Sequence, residues 1–85
     1  MHWEVYIIKT KLGRLYTGIS TDSQRRLNEH QNNPKKGAKF FRSDPAQEIV
    51  WKEIHTTRSM ALKREYQIKQ MKRQEKEQLI LSSDN

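Results

Sequence analysis

The chain has 85 residues, 33% of them hydrophobic and 32% charged, which allows one thin core and no second domain. Seventeen Lys and Arg against 10 Asp and Glu give a formal net charge of +7, and there is no cysteine. Disulfides, thiolate catalysis and cysteine-built zinc sites are therefore excluded, and the charge favours a polyanionic partner. With no apolar leader and no long apolar run, the expected location is the cytoplasm, with no membrane involvement.

Residues 3–8, WEVYII, alternate as a strand with Trp3, Val5 and Ile7 on one face and Glu4, Tyr6 and Ile8 on the other. Both faces are largely apolar, so the strand is expected to be central. Gly13 in TKLGR suits a turn, and LYTGI returns as a second strand. A hairpin centred near Lys11 would set Tyr6 opposite Tyr16, with the two phenols converging on one face.

STDSQRRLNEHQNN then reads as a helix, with Thr21 as N-cap, Gln24 as its box partner, Asp22 in the first turn and a stop at Asn32-Asn33-Pro34. Residues 34–45, PKKGAKFFRSDP, form a basic loop. Between positions 25 and 42, Arg25, Arg26, Lys35, Lys36, Lys39 and Arg42 outnumber the single carboxylate Glu29, so most of the excess charge is local. Lys39 and Arg42 are candidates for phosphate contacts. Phe40 or Phe41 is a candidate to stack on an unpaired base, with at least one of the pair expected in the core.

QEIVWKEIH, residues 47–55, alternates as a third strand with Ile49 and Trp51 on one side. TTRSMALKREYQIKQM and RQEKEQLIL have helical spacing, and a polar tail, 82–85, follows. The order β-β-α-β-α-α predicts a single α+β domain. In it, a small three-stranded antiparallel sheet is flanked by helices, with a core spanning about 3–81.

On the penultimate helix, Glu65 falls inside the apolar arc between Ala61 and Ile68 on one side and Leu62 on the other. A carboxylate there needs a cation: either a metal or basic side chain, or simply Lys69 one turn on if Glu65 sits at the arc's edge. Arg26 and His30 lie one turn apart on the first helix. His2, His30 and His55 have no mutual metal-ligand spacing. Two phenols, an Arg, a His and a carboxylate together suit phosphodiester cleavage. The carboxylate is a hard ligand for Mg²⁺ or Mn²⁺, the Arg neutralises the phosphate, and a phenol beside a cation can have a lowered pKa and activate or orient water.

VYI at 5–7, YTG at 16–18, RRLNEH at 25–30 and ALKREYQIK at 61–69 resemble the GIY-YIG nuclease superfamily, and within it the small stand-alone bacterial proteins of the UPF0213 type. The resemblance implies that Tyr6 and Tyr16 are the signature tyrosines and Gly18 the signature glycine. It also implies that Arg26 is the catalytic arginine, His30 a polar active-site residue and Glu65 the ligand of one divalent ion. Tyr6 is favoured as general base, with Tyr16 orienting. The sequence departs from the pattern in reading VYI at the first triplet and in placing Ile19, where some repair nucleases of the family have a lysine.

The implied activity is metal-dependent endonucleolytic hydrolysis, of DNA rather than RNA, selected by structure or single-strandedness rather than base sequence. Arg25, Lys35, Lys36, Lys39, Phe40 and Arg42 are the expected nucleic-acid contacts, and the small size suggests a recruiting protein. The alternatives are a non-catalytic nucleic-acid-binding module that keeps the fold, or a small interaction domain. A carboxylate amid positive charge favours catalysis.

Overall fold

A computed structural model describes residues 2–33 and 35–83; Pro34 of the expected helix stop and the last two residues of the polar tail lie outside the described residues. Strand β1, Trp3–Thr10, has β2, Leu15–Ser20, on one side and β3, Ala46–His55, on the other, all antiparallel. Helix α1 spans Ser23–Asn32, α2 Arg58–Lys69 and α3 Arg73–Ser82, and the basic loop contains one 3₁₀ turn, Lys39–Phe41. The expected α+β order is the observed one, and β1 is central because Glu4 to Ile8 are buried without a break.

The pleat divides the core in two. Val5 and Ile7 pack with Trp51, Ala61 and Ile68 beneath α2, whereas Tyr6 and Ile8 pack with Leu27 of α1, Phe41 and Ala46. The hairpin turns around Leu12, with Gly13 at φ 89°, so Tyr6 pairs with Gly18 and Tyr16 with Ile8. The expected Tyr6–Tyr16 pairing is thus displaced by two residues. A shift of two preserves parity, so the phenols still share a face.

In β3, Trp51 pairs with Ile7 and Ile49 with Ile8, which leaves Val50 as an extra residue. Ile49 and Trp51 therefore fall on opposite faces rather than the expected common side, because a bulge interrupts the two-residue period.

The N-cap of α1 is Asp22, not Thr21. Asp22 is extended, φ −150° and ψ 93°, and its side chain accepts from Arg25 N at 3.0 Å. Glu4 of β1 accepts from the next amide, Ser23 N, at 2.8 Å, tying the start of α1 to the central strand. Burial opposes the charge on Glu4. The donors gathered on it, Ser23 first and then His2, with the charge of Lys52, outweigh this and lower its pKa to about 2.

The basic loop is fastened at both ends. Gly37 N donates to Asn33 O at 2.8 Å, and a Cβ at Gly37 would lie 3.0 Å from His30 Cα and 3.1 Å from Glu29 O, so only a bare backbone lies this close to the helix. At the far end, buried Asp44 accepts from Thr10 Oγ1 at 2.5 Å and from Leu12 N at 3.0 Å, joining the loop to the hairpin turn. Phe41 is buried between the two anchors, which satisfies the expectation that one phenylalanine enters the core.

Candidate active site

Tyr6 is 1% exposed, and its hydroxyl lies across the backbone of its strand partner, Gly18. A Cβ at Gly18 would stand 2.5 Å from that oxygen, so glycine is the residue that lets the phenol reach across the edge strand. His30, one of the buried residues of α1, places Nε2 3.5 Å from the Tyr6 hydroxyl, while its Nδ1 accepts from Ala38 N at 3.0 Å. An imidazole that accepts at Nδ1 carries its proton on Nε2, so His30 donates toward the phenol oxygen. Burial, and then the neighbouring positive charge of Arg26, lower the His30 pKa to about 4, which keeps it neutral at pH 7.

Several neighbours influence the Tyr6 hydroxyl. Burial is the main influence on the Tyr6 phenol and pushes its pKa above the ordinary tyrosine range, with Tyr16 adding to the rise. Arg26 opposes this through charge and hydrogen bonding, and Glu65 raises it slightly. The lowered phenol pKa anticipated from a neighbouring cation is not found at Tyr6, because desolvation outweighs Arg26.

Arg26 Nη1 donates to Glu29 Oε1 at 3.0 Å and to Lys36 O at 2.6 Å, so the guanidinium joins α1 to the basic loop. Glu65 belongs to α2, on the opposite side of the sheet from α1. Its side chain is 18% exposed and pairs with Lys69 Nζ at 3.3 Å, the arc-edge arrangement, yet its charge is felt at Tyr6. The sheet's edge at β2 is where groups from both faces can meet.

Tyr16 sits among rings: His30 at 5.3 Å, Phe40 at 5.3 Å and Phe41 at 4.8 Å between centroids, with His30 and Phe41 edge-on to it. Phe40 is half-buried, and the Arg14 guanidinium lies 4.0 Å over its ring, so one of its faces is already covered. Arg25, Lys35, Lys36, Lys39 and Arg42 are exposed along α1 and the loop.

Residues 2–78 match the GIY-YIG catalytic domain. The chain belongs to that family. It carries the family's nuclease-type fold, and its relatives include a UPF0213 protein of Pectobacterium carotovorum, 47% identical over 92% of this chain and 77% of the relative. A UPF0213 protein of Photorhabdus laumondii is 43% identical over 93% of this chain and 74% of its own length. The solution NMR structure of a UPF0213 protein from Bacillus halodurans aligns with a TM-score of 0.58 at 37% identity, covering 94% of this chain and 83% of that one.

In this GIY-YIG domain Tyr6, Tyr16, Gly18 and His30 are in mutual contact and Arg26 acts on the Tyr6 hydroxyl, whereas Glu65 pairs with Lys69 and reaches Tyr6 through its charge alone. Sequence reasoning missed the groups that hold them. Ala38 N sets the His30 tautomer and Lys36 O holds Arg26, but both act through backbone atoms and leave no side-chain signal. Gly37 was the available clue, a glycine in an otherwise bulky, basic loop.

Proposed function

We propose that the protein is a cytoplasmic endonuclease that hydrolyses phosphodiester bonds of DNA with one divalent ion, Mg²⁺ or Mn²⁺. It selects its substrate by structure or strandedness rather than by base sequence. The observation that carries this reading is the Tyr6 phenol, on which His30, Arg26, Tyr16 and Glu65 all act.

Glu65 is the residue that would hold the ion. A single hard carboxylate oxygen suits an ion that takes most of its ligands from water and phosphate, and no group of three His, Cys, Asp or Glu occurs among the described residues. When bound, the ion would neutralise charge on the phosphate and the leaving oxygen. The Arg26 bonds to Glu29 and Lys36 both use Nη1, and the rest of the guanidinium, which acts on Tyr6, is the part that would pair with a phosphate. His30 donates to the Tyr6 oxygen and so stabilises its phenolate, the form in which Tyr6 takes a proton from the attacking water. Tyr16, wedged among aromatic rings, orients that water.

The deciding experiment incubates the protein with end-labelled single-stranded, duplex and branched DNA in Mg²⁺, Mn²⁺ or EDTA, beside Glu65→Gln. Cleavage should require metal and fall at least ~100-fold in the variant while DNA binding persists. Undiminished cleavage by Glu65→Gln would sink the one-ion assignment. Binding without cutting by the wild type would leave a nucleic-acid-binding module on a nuclease-type fold, a reading favoured by the Glu65–Lys69 pair and the raised Tyr6 phenol.

A further inference from the structure

His30 is also a wall of a second space. The end of α1 and the basic loop form an open cleft of about 500 Å³ lined by His30, Lys35, Ala38, Phe41, Arg42 and Pro45. Gln31 frames it by donating from Nε2 to Ala46 O at 3.3 Å and to Gln47 O at 3.1 Å, which holds α1 against β3. The volume is within the range of about 300–1,000 Å³ usual for small-molecule sites.

Two features of the lining specify a ligand. Ala38, Phe41 and Pro45 make an apolar wall, while Lys35 and Arg42 are exposed and have no carboxylate partner among the described residues. Their charge does no work within the fold. A flat ring with apolar faces, carried on a sugar phosphate, matches both halves, and that is the chemistry of a nucleotide. A paired and stacked base cannot enter such a space, whereas an unpaired one can.

We propose that this cleft receives an unpaired nucleotide of the substrate. The base lies against Ala38, Phe41 and Pro45, and its phosphate meets Lys35 and Arg42. Because His30 borders both the cleft and Tyr6, the occupied nucleotide adjoins the scissile phosphate, a placement that rests on the nuclease reading. The cleft then supplies the selection for unpaired strands. The backbone link from Ala38 N to His30 Nδ1 passes directly between the two sites.

The test is an NMR titration of isotope-labelled protein in EDTA with deoxyadenosine monophosphate, with inorganic phosphate and with a short single strand. The nucleotide should shift the amides of Gln31, Ala38 and Arg42 saturably and bind about tenfold or more tighter than inorganic phosphate. Ala38→Leu, which adds bulk to the apolar wall and keeps both cations, should weaken the nucleotide about tenfold and leave phosphate binding as it was. Equal affinity for nucleotide and phosphate, or unimpaired nucleotide binding by a folded Ala38→Leu protein, overturns the proposal.

A second measurement needs no variant. An abasic residue placed next to the mapped cut should reduce cleavage about tenfold, and equal cleavage of the abasic strand overturns the cleft while leaving the nuclease intact. Conversely, nucleotide bound in the cleft of a protein that cuts nothing supports the cleft and ends the nuclease reading.

Discussion

On one face of β1, Val5 and Ile7 meet Trp51, Ala61 and Ile68; on the other, Tyr6 and Ile8 meet Leu27, Phe41 and Ala46, with His30 alongside. The first face is hydrocarbon and indole, and its worth is the area it removes from water. The second buries a phenol and an imidazole whose pKa values are displaced in opposite directions, both away from their charged forms. The candidate catalytic groups are therefore part of a core. Damage to the first face should lower stability, and damage to the second should lower activity before the fold fails.

Trp51→Ala gives the largest expected effect on the first face, about 3–5 kcal/mol of stability in urea melts, with cleavage per folded molecule little changed. On the second face, Gly18→Ala puts a methyl 2.5 Å from the Tyr6 oxygen. Cleavage should fall by about 100-fold, because the phenol must move, and the loss of stability should be smaller than for Trp51→Ala. Equal effects of the two substitutions on activity per folded molecule would erase the contrast.

The next effect is on stability against pH. His30 has a folded pKa of about 4, below the unfolded value, so its contribution is complete above about pH 6.5 and drains away as pH falls toward 4. The loss should reach roughly 3 kcal/mol, and urea melts of His30→Asn should lack it. Glu4, lowered to about 2, governs the range below about pH 4.5, where stability falls as this carboxylate is protonated.

Activity should rise with pH as well, but above neutrality rather than below it. Tyr6 is protonated at neutral pH, so a Tyr6 base predicts kcat/KM rising about tenfold per pH unit from neutrality upward. A flat profile in the wild type, or the same slope in Tyr6→Phe, would remove Tyr6 from that role. The smallest effect separates the two cap candidates: Asp22→Ala should cost about 1 kcal/mol and Thr21→Ala less than about 0.5 kcal/mol, measured by thermal melts.

Much of this arrangement was legible before any coordinates. The β1 alternation, the same-face phenols and the position of Glu65 all follow from periodicity, which survives small errors of register. The hairpin centre was one residue off because the turn is settled partly by Asp44, a partner 32 residues from Leu12 that local patterning does not see. The common side expected for Ile49 and Trp51 failed for a related reason, since a bulge is decided by pairing with β1 rather than by the strand's own sequence. The N-cap differed because Thr21 and Asp22 are both good caps, and Glu4 of a distant strand claims the Ser23 amide. The loop read as a bare set of charges, whereas its backbone turns out to hold His30 and Arg26 in place.

The strand order β2-β1-β3 also bears on how the chain reaches its fold. The hairpin of β1 and β2 can close on local contacts, but it leaves one edge of β1 open, with five consecutive residues that end up buried. That edge waits for β3, about forty residues later in the chain, and closing so long a loop is slow compared with hairpin formation. During this interval the segment from Glu4 to Ile8 is the chain's most exposed invitation to self-association. Lys9, Lys11 and Arg14, which follow it directly, are the charges that keep the half-built sheet apart from its neighbours.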